Sequence, residues 1–317
     1  MNRDLIRYLL KFLVFAFIFI AVDKVAGFGL DFLQQKSFER NPYRFEVRAR
    51  YAIEKAEGEI AVIGASDAAH SYISQMIEDS LRLTTFNYGK DGCFFVYQNC
   101  LINMMLANHT PKVILWEIGK DCLSSTPAKN ITEWQSISDF YPYYDNNRFC
   151  KHLIDQKGTF QRCYMLSSLY RFNSKALNII EPFLVTETIP DTKGYLAIAN
   201  TGYKYPDFNT SETKDNLDTW KVELLKSTLD VCKEKNATVI FCFSPYFGDS
   251  GYDKTQQYKE LMTIAEDYSV DVIDYRNNSF FMSDATLFKD PRHLNDKGAH
   301  LYMDYFIPDL KKLLARQ

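Results

Sequence analysis

Short apolar runs that alternate with helical patterns constrain the fold of this chain more than any other feature. The runs are continuous and rich in β-branched residues, as expected for strands that are buried on both faces. They are Glu59–Gly64, Thr84–Tyr88, Val113–Ile118, Ala237–Phe243 and Val270–Asp274. Apolar residues recur at helical spacing between them, over Val96–Asn108, Thr219–Lys235 and Gln256–Tyr268. Strands that alternate with helices predict βαβ units, and therefore an α/β fold with a parallel sheet covered on both sides.

Three segments depart from this alternation. Residues 34–58 are polar and charged, and we expect a connector and a surface helix there, ahead of a domain that spans 59–317. Residues 123–210 carry many tyrosines and no clean alternation, which indicates an insertion over the strand ends, where open α/β folds place their active sites. The closing helical pattern starts at about Lys297 and is expected to be interrupted near Pro308.

The first 33 residues predict a membrane segment. The apolar run Phe12–Val22 follows Arg3, Arg7 and Lys11 and is too short to span a bilayer alone. Adding Leu5–Leu10 lengthens it, if Arg7 and Lys11 extend toward the headgroups. A cleaved signal peptide and an uncleaved signal anchor both fit this pattern. The missing small-x-small site after Val22 and the apolar residues beyond it favour the anchor. The basic N-terminus then lies in the cytoplasm and the rest of the chain outside the membrane.

Composition excludes several classes of function. The formal net charge of −3 leaves no basic face of the kind that binds nucleic acid, so no nucleic-acid partner is expected. Seven cysteines occur without a CxxC pair, which argues against a zinc ribbon or a thioredoxin-like site. No glycine run suited to cradling phosphates is present. We therefore expect neither a metal ion nor a cofactor.

A serine after the first strand is the first candidate for chemistry. Ser66 stands in Gly64-Ala65-Ser66-Asp67, where a strand-to-helix turn would expose its hydroxyl at the sheet edge beside a helix N-terminus. The alternative for such a segment is a plain turn with a helix cap. The second candidate is Asp290-Pro291-Arg292-His293, in which the aspartate can orient the imidazole and stabilise its protonated form.

Taken together, these segments resemble SGNH hydrolases, also called GDSL-type esterases. Two further blocks carry the resemblance, Asn87-Tyr88-Gly89-Lys90-Asp91-Gly92 after the second strand and Glu117-Ile118-Gly119-Lys120-Asp121 after the third. The chain is especially similar to a branch of bacterial membrane-anchored proteins related to those of D-alanyl-lipoteichoic-acid biosynthesis and alginate O-acetylation. The resemblance implies a three-layer α/β/α sandwich with a flavodoxin-like sheet, preceded here by one N-terminal membrane helix.

The resemblance also assigns roles to single residues. Ser66 matches the nucleophile, His293 the general base, and Asp290 the carboxylate that orients it. The N–H groups of Ser66 and Gly92 match oxyanion-hole donors. Asp121 stands where the family has a third donor, an asparagine. An ionised Asp121 would repel an oxyanion, so it would have to be protonated, turned away, or replaced as donor by Lys120 or Asn87. Lys120 and Asn87 are therefore also expected to contact substrate.

Two further residues follow the serine on its helix. His70 lies one helical turn after Ser66 and is expected either to contact substrate or to be a partly buried helix residue. Asp67 is expected to cap the helix or to contact substrate.

The sequence thus predicts an esterase or O-acyltransferase that acts on acyl groups of an envelope or extracellular polysaccharide. Its partners would be an acylated glycan or acyl donor, the membrane and, by the resemblance, a membrane-bound O-acyltransferase. The alternative is a glycan-binding partner of such an acyltransferase with little or no catalysis of its own.

Overall fold

The computed structural model describes most of the chain, and the chain divides into two compact units. Described are residues 3–40, 44–119, 122–125, 133–134, 136–173, 175–184, 192–200, 216–248 and 251–316. Unit 1 comprises Met1–Val47 and Ser138–Ile189, and unit 2 comprises Arg48–Ile137 and Pro190–Gln317. Each unit therefore combines two stretches that are distant in the sequence.

Unit 2 is built on a parallel sheet of five strands, counted over the described residues. The strands are β1 Ile60–Ile63, β2 Thr85–Asn87, β3 Val113–Glu117, β4 Thr238–Phe243 and β5 Asp271–Asp274. Their order is β2-β1-β3-β4-β5, with every neighbouring pair parallel. This is the flavodoxin-like order, in which the chain reverses direction across the sheet at β1 and β3. The predicted parallel sheet is confirmed, and each strand lies within its predicted run.

Helices complete the structure of both units. They are α1 Arg3–Arg40, α2 Arg48–Glu54, α3 Ser66–Ser71, α4 Ser74–Leu81, α5 Phe95–Leu106, α6 Arg148–Asp155, α7 Gln161–Tyr164, α8 Ala176–Leu184, α9 Thr219–Glu234, α10 Gln256–Asp267, α11 Ser279–Ser283 and α12 Asp296–Leu314. Short 3₁₀ turns cover Phe45–Val47, Ser136–Tyr143, Tyr170–Phe172, Tyr252–Lys254 and Ala285–Leu287. The helices of unit 2 lie on both sides of the sheet, with α2, α5 and α9 packed together and α3, α4 and α12 packed together. The α/β/α sandwich is therefore confirmed.

The closing helix differs from its prediction. It runs without a break through Pro308 to Leu314, although proline cannot donate the backbone hydrogen bond of that turn. Its buried face explains the continuity, because Tyr302, Phe306 and Leu310 are fully buried in the core of the sheet. Asn295 caps its start, accepting a bond from the Gly298 N–H at 3.0 Å and donating to the Thr286 carbonyl at 2.7 Å. The loop before α12 is thereby fixed at its C-terminal end.

Unit 1 is built around α1, together with α6, α7 and α8. An 18-residue window of α1 has a mean hydropathy of 2.3, and none of that window is buried. By length and composition α1 can cross a membrane, and a signal sequence passes the same test. The helix continues past residue 33 to Arg40, so the polar residues expected in the connector begin while the chain is still helical.

Candidate active site

The turn before α3 places Ser66 at the carboxyl end of β1. Every residue of β1 is buried, and α3 begins at Ser66, three residues after the strand ends. A Cβ atom at Gly64 would lie 2.5 Å from Ala68 Cβ and 2.8 Å from Glu117 Cβ. Only glycine fits there, and it lets the start of α3 pack against the end of β3.

The loop before α12 holds His293 through its own backbone and through Asp290. The Asp290 Oδ1 atom accepts the N–H groups of Arg292 at 2.9 Å and His293 at 3.0 Å. The Lys289 N–H donates to the His293 carbonyl at 2.8 Å, and Leu294 is fully buried directly after the histidine. These contacts fix the backbone from which the imidazole projects.

Ser66, His293 and Asp290 are in direct hydrogen-bond contact, although serine and histidine are 227 positions apart. The Nε2 atom of His293 lies 2.7 Å from Ser66 Oγ, and its Nδ1 atom lies 2.8 Å from Asp290 Oδ2. A carboxylate can only accept, so Nδ1 carries the proton when the ring is neutral, and Nε2 accepts the serine hydroxyl. This geometry allows the imidazole to remove the proton of Ser66 while Asp290 balances the resulting charge.

The electrostatics of the site favour the charged forms of Asp290 and His293. Burial opposes ionisation of Asp290, but its bonds from His293 and the backbone outweigh that cost and lower its pKa to about 2. Burial likewise opposes protonation of His293. The bond to Asp290 and the negative charge of Asp67 outweigh burial, so the pKa of His293 is raised.

A second carboxylate faces His293 from α3. Asp67 is 1 % exposed, and its Oδ1 atom lies 3.6 Å from His293 Nε2. Arg292 binds it through two nitrogens, with Nε 3.0 Å from both carboxylate oxygens and a terminal nitrogen 2.8 Å from Oδ2. Asp67 therefore does not cap α3 and has almost no surface to offer a substrate, which corrects both expectations for it. It forms an ion pair beside His293, in which the carboxylate is buried and the guanidinium is partly exposed.

Glu117, at the end of β3, is the third carboxylate in this region and is fully buried. Its oxygens accept the Ser244 N–H at 2.9 and 3.1 Å, the Ser244 hydroxyl at 2.9 Å, and the Tyr72 hydroxyl. Burial, reinforced by the charge of Asp67, raises the pKa of Glu117 to about 8. The effect of burial thus outweighs these bonds, each of which favours the ionised form.

His70, one helical turn after Ser66, lies close to His293. Their ring centroids are 6.0 Å apart, edge to face. The His70 Nδ1 atom is 2.7 Å from the Leu196 carbonyl, and Nε2 is 3.0 Å from Asp91 Oδ1. The His70 side chain is 12 % exposed, so its contacts link α3 to the turn after β2. Gly92 follows Asp91 in that turn with φ of +68°, a conformation that favours glycine.

Asn87 is placed differently from its expected contact with substrate. It is fully buried, and its amide donates to the carbonyls of Ala68 at 2.7 Å and Tyr72 at 2.9 Å. Its oxygen accepts the Gly89 N–H at 2.8 Å. The hydrogen-bonding groups of the side chain are thus bonded to the backbone. The expected substrate contact is therefore wrong, and Asn87 instead links β2 to α3. Lys120 and Asp121 lie outside the described residues.

The residues that sequence reasoning missed are Arg292 as the partner of Asp67, and Glu117 as a buried acid. The only local signal for Glu117 was a carboxylate that ends an otherwise apolar strand. Within the described residues, no group of three or more His, Cys, Asp and Glu side chains is arranged to hold a metal ion.

Comparisons with known proteins find matches among solved structures. No family model matches the chain, and no curated protein matches it. Among solved structures, the crystal structure of an acetyl xylan esterase is similar to it, with a TM-score of 0.38 and 14 % sequence identity. The likeness covers 78 % of this chain and 96 % of the esterase chain.

Proposed function

We propose that this chain is a membrane-anchored serine esterase or O-acyltransferase of the SGNH type. The observation that carries the proposal is the continuous chain of hydrogen bonds from Ser66 through His293 to Asp290. A serine and histidine in contact also occur by chance, but an ionised carboxylate on the far ring nitrogen is what acyl transfer requires.

The reaction proceeds in two steps. Ser66 Oγ attacks the carbonyl carbon of an ester while His293 Nε2 takes the hydroxyl proton. The tetrahedral intermediate collapses, the same proton passes to the leaving alcohol, and an acyl-serine remains. In the second step His293 deprotonates water or a sugar hydroxyl, whose oxygen attacks the acyl-serine. The bond to Ser66 Oγ breaks, and His293 returns the proton to that oxygen. Water gives hydrolysis, and a sugar hydroxyl gives O-acyl transfer.

The backbone N–H groups of Ser66 and Gly92 are the proposed oxyanion donors. Ser66 is the first residue of α3, so its N–H has no acceptor within the helix. Donors aimed at the developing oxyanion contribute roughly 3 kcal/mol each to lowering the barrier. Asp121 is the proposed third member by the family resemblance, and it would have to be protonated to donate.

The substrate class follows from where the chain resides. We infer that α1 stays attached as a signal anchor, with the basic Arg3, Arg7 and Lys11 on the cytoplasmic side. The active site would then face the extracytoplasmic space, where acylated polysaccharides are the available esters. A membrane-bound O-acyltransferase is the proposed partner that would supply or receive the acyl group.

The decisive experiment uses the full-length chain in detergent with a short-chain p-nitrophenyl ester. We expect Ser66→Ala and His293→Ala to lower kcat/KM by about 10⁴-fold or more, because triad members act as a unit. A fluorophosphonate probe should label the parent and leave Ser66→Ala unlabelled.

Matched controls are Ser283→Ala and His300→Ala. The Ser283 hydroxyl bonds only carbonyls of its own helix, and the His300 ring lies exposed on α12. Both variants should keep parental turnover and labelling. Full turnover by Ser66→Ala would overturn the nucleophile assignment. Glycan binding without turnover by any variant would favour the non-catalytic partner of an acyltransferase.

A further inference from the structure

The charged residues that end the apolar part of α1 are bonded by the insertion. Asp23 accepts the Ser167 hydroxyl at 2.5 Å and the N–H groups of Ser168 at 2.8 Å and Leu169 at 3.1 Å. Lys24 donates to the Leu166 carbonyl at 2.7 Å and to the Ser168 hydroxyl at 3.1 Å. Residues 166–169 therefore lie level with the end of the apolar run.

The sequence of α1 is adapted to this contact. A Cβ atom at Gly27 would lie 2.2 Å from Ser168 Cβ, so any larger residue would push the loop away. Asp23 and Gly27, one helical turn apart, are both buried. One face of α1 thus receives the loop, while the run before it stays uncovered.

Apolar side chains project from the loop and from the helix before it. Phe160 is 65 % exposed, Tyr164 50 %, Leu166 74 % and Leu169 39 %. We call these four residues the loop patch. Two cations accompany it, Lys24 with 54 % and Arg162 with 77 % of the side chain exposed. Aromatic and aliphatic residues with basic neighbours, beside the end of an apolar helix, match the composition of a membrane interface.

We propose that the loop patch lies in the lipid interface beside α1, with Lys24 and Arg162 among the lipid phosphates. Charged groups at this depth need hydrogen-bond partners because water is scarce, and the loop supplies them to Asp23. Residues 166–169 then hold one face of α1 at the membrane surface, at the outer end of its apolar run. This inference rests on the proposed anchoring of α1 in a membrane.

Unit 1 also provides a matched control. Leu184, at the end of α8, is 78 % exposed, similar to Leu166. Its neighbour Glu181 bonds Arg44, which follows the far end of α1 in the sequence. From Asp23 to Arg40 the helix rises about 25 Å, so Leu184 should stand clear of the lipid.

The experiment uses the full-length chain in vesicles that contain phosphatidylglycerol. Of the seven free cysteines only Cys163 is exposed, so Cys163→Ser leaves a background without a reactive thiol. Single cysteines introduced as Phe15→Cys, Leu166→Cys and Leu184→Cys are labelled with an environment-sensitive fluorophore. Quenching by doxyl lipid and by aqueous iodide is then compared.

We expect doxyl lipid to quench the Leu166 probe as strongly as the Phe15 probe, with little effect of iodide on either. The Leu184 probe should respond to iodide and not to lipid. If doxyl lipid quenches the Phe15 probe while only iodide quenches the Leu166 probe, the interface placement of the loop patch is wrong and the anchoring of α1 still stands. A Phe15 probe in water overturns the anchoring as well. A Leu166 probe shielded from both quenchers means that protein covers the patch, which also overturns the inference.

Discussion

At the scale of single residues, the charges around His293 determine when it can act as a base. Asp290 and Arg292 approach it from its own loop, Asp67 and His70 from α3, and Asp91 stands behind His70. The imidazole must be neutral to accept the serine proton, so activity should rise as pH passes its raised pKa.

Substitutions at Asp67 and Arg292 should shift the acid limb of the pH–activity profile in opposite directions. Asp67→Asn removes a negative charge near Nε2, lowers the pKa of His293 and shifts the acid limb of kcat/KM to lower pH. Arg292→Gln leaves Asp67 uncompensated and shifts the limb to higher pH. Each shift should be roughly 1 pH unit, the lower end of the effect of one nearby charge. The double variant should return toward the parent, and shifts in the same direction would contradict this role.

The buried proton of Glu117 should make stability fall as pH rises. The unfolded chain loses this proton near the ordinary glutamate pKa of 4.5, and the folded chain retains it to about 8. Between these values the folded state binds more protons, so the free energy of unfolding decreases by at most about 1.4 kcal/mol per pH unit. Urea unfolding from pH 5 to 9 should give a shallower slope for Glu117→Gln. The exposed Glu266→Gln should keep the parental slope, and an unchanged slope in Glu117→Gln would rule out a buried proton there.

At the scale of elements, the Asn87 side chain joins β2 to α3, the helix that begins at Ser66. Asn87→Ala would leave two carbonyls and one N–H without their bonds, at a cost of roughly 2–5 kcal/mol in the free energy of unfolding. Chemical denaturation measures this loss directly. Asn87→Asp should be no better, because it replaces two donors by a buried charge. Unchanged stability with weaker substrate binding would restore the substrate role that the sequence suggested.

The strands of unit 2 were predictable because each has a local signal. Buried strands require continuous apolar runs, and β4 was correct to within one residue at its start. Pro308 misled the prediction, because the packing of a long apolar face outweighed one missing hydrogen bond.

The candidate site was predictable where its residues are neighbours in sequence. Asp290 and His293 share one turn, and Ser66 follows a strand, so both segments could be recognised. Arg292 and Asp67 are 225 positions apart, and nothing in the sequence tells which arginine faces which aspartate. Asn87 was misassigned because its partners are backbone carbonyls, which leave no trace in the sequence.

At the scale of the whole molecule, the division into two units predicts a selective effect of removing α1. A chain that begins at residue 41 keeps all of unit 2 but loses the helix against which α8 packs. We expect trypsin to cut within residues 138–184 faster than in the full-length chain, while ester turnover persists. Equal protection of that segment in both chains would contradict the division.

The contact between Asp23 and Ser167 can form only late in synthesis of the chain. The ribosome adds Asp23 to the chain 144 residues before Ser167. At about 5–20 residues per second, roughly 7–30 s pass before the partner exists. The first helix is therefore complete while the Asp23 carboxylate still lacks these partners, and a translational pause before residue 167 would prolong that stage.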